Sequence, residues 1–361
     1  MSEEQEPKGE APATSQPAPA NRSSYLKRLT TIRDRPSKLE AFIYSISCIL
    51  LVLGLWHILT GGLPGGKRII GQLTLPSPAE TFSTFPSLWN DRALMRSIVW
   101  SLSRVLVGFL AGAAIAIPLG VIAGNYLRVD AFVRPLSVFG RSVPIAALIP
   151  LTIFWFKIGE YQKVMFILIA SIAFVLFDTT RSVRGVSDRF LDTAYTLGAR
   201  RERKKGAISA AIIGVFYALF FVSMVPMTKA LSAGAIDWSK FAAEIGTTSS
   251  ITRALIGMVM GFLLWYPIRS NQVISKVVFP LALPDIVNSL RLLFGLGFGY
   301  IILAEVIGAE YGLGKIIQMS NRIGPREHVY LCLIIVAVIA YAIDRLIFWC
   351  QKRWFPYREQ H

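Results

Sequence analysis

Residues that usually carry chemistry are scarce in this 361-residue chain, which has three cysteines and three histidines. Cys48, Cys332 and Cys350 each lie in or beside an apolar run, and none forms a Cys-x-x-Cys pair. That excludes a zinc-ribbon pattern and a disulfide framework. His57, His328 and His361 are too scattered to form a metal cluster. No Ser-His-Asp or paired-carboxylate arrangement is visible in the spacing, so enzymatic chemistry has no support. Charge is also short: 17% of residues are charged, where a soluble domain carries about 25%. Acidic residues are the scarcer sign, 22 against 38 Lys and Arg, for a net charge of +16. The basic residues cluster between apolar runs, which is the pattern of cytoplasmic loops on a membrane protein. Nucleic acid is not the expected partner.

What the chain has in quantity is apolar sequence, at 53% of residues. A helix needs about 20 apolar residues to cross the hydrocarbon core. Segments near 41–61, 98–124, 132–156, 162–180, 207–231, 251–268, 288–308 and 329–350 meet that standard, so the expected fold is all-α and integral to a membrane. Residues 1–24 are rich in Pro, Ala, Ser and Glu, and residues 1–40 are expected to form a disordered, basic cytoplasmic tail. Basic residues crowd 22–38, 181–205 and the C-terminal stretch with Lys352, Arg353 and Arg358. Eight spans put all three regions on one side, the cytoplasm, with both termini.

Three features inside the spans stand out. Gly108, Gly112, Ala116, Gly120 and Gly124 recur every fourth residue, a smooth face for close packing against a helix that the sequence does not identify. Arg141, Pro144 and Pro150 interrupt the third span, and such a break is tolerated where it faces protein or a water-filled path. They are candidates for lining a translocation path. Glu305, in "ILAEVIG", is a fourth candidate, because an ionisable residue in a span needs either a partner or a wet path. Asp344 and Arg345 sit nearer a span end and are expected to be structural. "GGLPGGKR" at 61–68 imitates a phosphate-binding loop, but Arg68 stands where Ser or Thr should hold magnesium and no strand precedes it. It is expected to be a turn, which leaves the chain without a nucleotide site.

The stretch "LDTAYTLGA" at 191–199, followed much later by "VVFPLALPDIVNSLR" at 277–291, resembles the split cytoplasmic motif of binding-protein-dependent ABC importer permeases. "LPSPAETF" (75–82), "SLSRVLVGFLAGAAIAIPLGVIAG" (101–124), "RSVPIAALIPLTIFWFKIGE" (141–160) and "LAEVIGAEYGLGKII" (303–317) are similar to the nitrate, sulfonate and taurine branch. The resemblance runs from about residue 40 to 355.

It implies a type I ABC importer permease fold, the MetI-like fold, whose coupling element docks on a separate ATPase dimer. Asp192, Thr193, Ala194, Gly198, Pro280 and Pro284 match that element, although Asp192 and Thr193 depart from the usual Glu and Ala. The prolines are expected to stop and redirect the chain as it re-enters the bilayer. The resemblance further implies a second permease copy, a periplasmic or lipid-anchored binding protein, a bacterial inner-membrane location, a small anion as cargo, and no cofactor on this chain, ATP being bound by the partner subunit. In the family about a dozen residues separate the two halves of the motif, and here roughly seventy more intervene. The chain therefore divides into the tail 1–40, a first core part 41–205, an inserted membrane hairpin 206–269, and a second core part 270–361. A secondary transporter or channel is the rival reading. It would be expected to show internal repeats or a cluster of intramembrane charges, and neither is evident. An integral membrane enzyme would need a catalytic cluster.

Overall fold

The computed structural model describes residues 36–61, 68–233 and 248–356. The tail expectation for 1–35, the glycine-rich turn at 62–67, the connection 234–247 and Arg358 lie outside the described residues. The chain divides into two units, 1–71 and 72–361.

In the first unit, α1 (Lys38–Gly61) opens on a capping box: Glu40 N–H donates to Ser37 Oγ at 3.2 Å, and Ser37 N–H to Glu40 Oε2 at 2.7 Å. Its 24 residues rise about 36 Å, enough to cross a bilayer. Leucines and isoleucines project on all sides of it, as on a helix solvated by lipid.

The second unit begins with the short helices α2 (Pro78–Ser83) and α3 (Phe85–Asn90). The Ser-Pro-Ala-Glu run makes a second capping box, with Pro78 in the first turn, where a missing N–H costs nothing. Then come α4 (Leu94–Asn125), α5 (Leu127–Ser142), α6 (Leu148–Phe156), α7 (Glu160–Arg184) and α8 (Asp188–Thr196). They are followed by α9 (Arg203–Ala233), α10 (Thr248–Arg269), α11 (Phe279–Glu305), α12 (Leu313–Ile323) and α13 (Glu327–Trp354). Among the described residues seven helices are long and apolar enough to cross a membrane, or eight if α5 and α6 form one span bent by 92°. The bend falls at Val143 and Pro144, inside the span that the sequence expected to be interrupted.

The smooth face of α4 packs on α7. A Cβ on Gly108 would lie 2.7 Å from both Ile167 Cβ and the Val164 carbonyl oxygen, and one on Gly120 would lie 2.7 Å from Thr179 Cβ. Ala116 is fully buried between them. Four residues per repeat carry these contacts along one side of both helices, so two backbones meet where ordinary side chains would hold them apart. Phe109, Phe294 and Phe298 fill the adjoining core with edge-on ring contacts at 5.4 and 5.8 Å.

α9 and α10 form a tight antiparallel pair. Gly206 abuts Ser270, Gly214 abuts Met258 and Gly261, and Gly257 abuts Tyr217 and Ala218. At its base the pair is clasped. Glu202 N–H donates to the Ser270 carbonyl at 2.8 Å, Arg200 N–H donates to Gln272 Oε1 at 3.0 Å, and Arg201 and Asn271 form an isolated antiparallel bridge. Gln272 Nε2 donates to Glu202, and the Lys205 ammonium holds the Glu202 carboxyl below its usual range.

One expectation fails. Pro280 and Pro284 neither stop nor redirect the chain: residues Ile274–Glu305 form a continuous apolar span. A π-helical turn over Ile274–Val278 widens the backbone immediately before Pro280. That turn replaces the α-helical bonding which a proline ring would obstruct.

The glycine contacts set an expected outcome. Gly108→Ala drives a methyl into the α7 backbone and should lower stability by about 1–3 kcal/mol. Gly299→Ala, which meets nothing within 4 Å, should be neutral or better. Thermal unfolding of the purified protein in detergent checks the pair, and equal behaviour would contradict this packing.

Candidate functional site

Two places in the fold concentrate polar residues with a structural reason to be there. The first is α8. Its C-terminus carries a full Schellman motif, in which Ala199 N–H donates to the Ala194 carbonyl at 3.0 Å and Gly198 N–H to the Tyr195 carbonyl at 2.9 Å. Gly198 has φ +84°, the left-handed conformation that such a cap requires and that side chains disfavour. Asp192 and Thr193 are exposed. Ala194 is not: it points inward, into a cluster with Val121, Val183, Ile274, Val278 and Ala282. Its small size therefore brings α8 close against the chain's own helices. The outer surface is more apolar than a solvated helix needs, with Phe190 and Tyr195 exposed and Leu197, at the cap, 82% exposed. Pro284 is buried and Pro280 half-buried in the neighbouring stem, and Gln351 Nε2 donates to the Pro284 carbonyl at 3.0 Å.

The second place is an ion cluster at the opposite end of α4. Glu305, the last residue of α11, is fully buried. Arg104 Nη1 donates to its Oε1 at 2.6 Å, Ser101 Oγ lies 2.7 Å from the same oxygen, and Gly314 N–H donates to Oε2 at 2.9 Å. Arg104 Nε also reaches Glu160 Oε2 at 2.5 Å, and Lys163 Nζ lies 3.2 Å from Glu160 Oε1. Two cations and two anions thus share one enclosed site. The sequence "YGLGK" explains the close approach. A Cβ on Gly312 would fall 2.5 Å from the Glu305 carboxyl carbon, and one on Gly314 would fall 2.5 Å from the Ile302 carbonyl oxygen. Only glycine lets the start of α12 come close enough for the Gly314 N–H to reach the carboxylate, while the Leu313 N–H donates to Ser101 Oγ, and the helix dipole there also favours negative charge.

The structure thus places Glu305 among partners, sealed from solvent. Arg141, Pro144 and Pro150 lie apart from it, all exposed around the 92° bend. The Arg141 guanidinium sits 3.8 Å from the Phe177 ring centroid. Asp344 Oδ1 is 3.1 Å from Arg291 Nε, ion-pair distance without hydrogen-bond alignment, and Arg345 donates to Tyr341. Sequence reasoning missed Arg104, Glu160, Lys163 and Ser101. Arg104 carried a usable signal: a cation ten residues inside a span needs an intramembrane anion, and Glu305 was the available one.

The sequence profile of the family described as "Binding-protein-dependent transport system inner membrane component" matches residues 116–265 and 266–356. A Bacillus subtilis permease named for aliphatic sulfonates transport is 22% identical over 86% of both chains. The taurine transport system permease protein of Escherichia coli is 22% identical, covering 87% of this chain and 89% of its own. The bicarbonate transport system permease protein of Synechococcus elongatus is 23% identical, covering 87% and 90%. Among solved structures, a chain of the inward-facing MetNI methionine ABC transporter matches with TM-score 0.47 and 17% identity, covering 74% of this chain and 98% of that one.

The two acidic residues should respond differently to truncation. Glu305→Ala leaves buried cationic charge undercompensated and should cost roughly 3–5 kcal/mol. Asp344→Ala, in a pair whose carboxylate is 38% exposed, should cost less than about 1 kcal/mol. Apparent Tm of the two purified variants, read beside their uptake rates, checks the difference.

Proposed function

The chain belongs to the inner-membrane components of binding-protein-dependent transport systems, in the nitrate, sulfonate and taurine branch of ABC importer permeases, and from that premise we propose that it conducts a small anion inward under the drive of a separate ATPase. It is a multi-pass membrane protein and a permease subunit. In the proposed assembly two copies pair in the bacterial cytoplasmic membrane with both termini inside. An ATPase dimer binds the cytoplasmic face, and a periplasmic or lipid-anchored protein delivers cargo. ATP is bound and hydrolysed by the partner, not by this chain.

The observation that carries this reading is α8. It presents Phe190, Tyr195, Leu197 and Asp192 outward, while Ala194 seats it on the stem of α11 and on Val121 of α4. A push on α8 therefore reaches α4, α7 and α11 together. At their far ends the ion cluster ties these three helices to α12. The unit is built to move as a body, which is what alternating access by subunit rotation requires. Asp192, Thr193, Ala194, Gly198, Pro280 and Pro284 are assigned to coupling, the first two and Gly198 by contact and the others by supporting α8.

Arg141, Pro144 and Pro150 are assigned to the path. What supports this is their shared exposure at a bent span and the cationic charge of Arg141, which suits an anion. Glu305 enters the path reading only if the cluster opens during the cycle. The pair α9 and α10 is read as a membrane hairpin added to the family fold, supported by its length, its glycine-to-backbone packing and its clasped base. The names of the relatives favour a sulfonate, taurine, nitrate or bicarbonate as cargo.

Asp192→Lys should lower uptake about tenfold or more while the protein remains in the membrane, a change equivalent to roughly 1.4 kcal/mol of coupling. Gly198→Trp should do the same. The measurement is ATP-driven uptake of labelled sulfonate and nitrate by vesicles holding permease, ATPase and binding protein. Uptake that persists without any ATPase would instead favour a secondary transporter.

A further inference from the structure

α4 is continuous although Pro118 lies inside it. A proline has no N–H, so the carbonyl four residues earlier, that of Ala114, loses its helical donor. In lipid no water is available to replace it, and a freed carbonyl needs a partner from the protein. That partner is present, and it comes from another part of the chain: the Tyr217 hydroxyl of α9 donates to the Ala114 carbonyl oxygen. Trp265 Nε1 of α10 donates in turn to the Tyr217 hydroxyl at 3.0 Å. Tyr217 and Pro118 are both buried. The relay therefore runs from α10 through α9 into α4, each donor polarising the next.

We infer that Tyr217 is a positioning residue for α4, supplying the hydrogen bond that Pro118 removes, so that the α9–α10 pair holds α4 in its working geometry. The stakes lie at both ends of that helix. Ser101 and Arg104 stand in the ion cluster, and Val121 stands in the cluster that seats α8. Pro118 falls between the two. The pair is thus part of the transporting machine, not an accessory packed on its outside.

The experiment is a double-mutant cycle on the full-length protein. Tyr217→Phe keeps the ring and deletes the donor; Pro118→Ala restores an N–H for the Ala114 carbonyl. Tyr217→Phe alone should lower the apparent Tm by about 2–4 °C. In the Pro118→Ala background the same substitution should cost less than half as much, because the carbonyl is then served from within α4. A loss of half or more in that background overturns the assignment, and so does an absence of loss in the parent. This arm needs no ATPase, so its failure is distinct from failure of the transport reading. A second arm rests on that reading: in the reconstituted importer Tyr217→Phe should reduce kcat with KM unchanged, and Pro118→Ala should restore it. A change confined to KM overturns the positioning role. If Pro118→Ala yields no folded protein, hydrogen exchange decides. Faster exchange over 114–122 in Tyr217→Phe supports the bond, and unchanged exchange rejects it.

Discussion

Glu305 and Arg104 meet at 2.6 Å in a place that neither water nor lipid can solvate. The rest of the second unit is arranged around what that meeting requires. Two charges taken out of water need their remaining donors and acceptors engaged if their mutual attraction is to offset the desolvation. Ser101 and the Gly314 N–H serve the carboxylate, and Glu160 and the Tyr311 carbonyl serve the guanidinium, whose Nη2 alone stays buried without a hydrogen-bond partner. Ser101 and Arg104 lie on α4, Gly314 on α12 and Glu160 on α7, so satisfying the Glu305–Arg104 pair fixes four helices relative to each other. The same requirement recurs in weaker form at the carbonyls freed by proline. Pro280 is accommodated by a wider helical turn, Pro118 by a tyrosine brought from elsewhere in the chain. At these two positions proline is tolerated because a local answer exists for each.

Packing supplies what charge cannot. Between helices in lipid there is little hydrophobic gain from association, so close fit must hold them. The α4–α7 contact and the α9–α10 contact use the same device, glycine and alanine at four-residue spacing, with a backbone atom of one helix lying where a Cβ of the other would be. The device is directional: it sets which face meets which, leaving the larger apolar side chains free to face lipid.

Much of this was legible in the chain. The spans, the interruption at Arg141 to Pro150 and the small-residue face of α4 follow from composition and period, which are local properties. The family followed from motifs in order. What escaped were facts about pairing. The glycines of α4 announce a close neighbour but do not say that it is α7. Glu305 announces the need for a cation and Arg104, inside a span, offers one, but nothing in one dimension adds Ser101, Glu160 and Lys163 to the pair. Ala194 is small in the sequence whether it faces a partner or its own protein, and only the fold shows it turned inward. The continuous helix through Pro280 was missed for another reason. The rule that proline ends a helix assumes α-helical bonding before it, and a π turn supplies a different hydrogen-bond register at the same place.

The clasp at the base of α9 and α10 bears on the order in which the chain assembles. Arg200 and Gln272 are 72 residues apart in sequence yet joined by a hydrogen bond. Closing a free loop of that length would cost appreciable chain entropy. The antiparallel pair removes most of it, because two helices that zip from their connection downward deliver both ends to the same spot. To the stem of α11, the long intervening segment then behaves as a short turn. Nascent chain leaving the ribosome would complete α9 and α10 first and meet the start of α11 already in register with α8. α8 and the stem of α11 would thus be brought together by the segment that separates them.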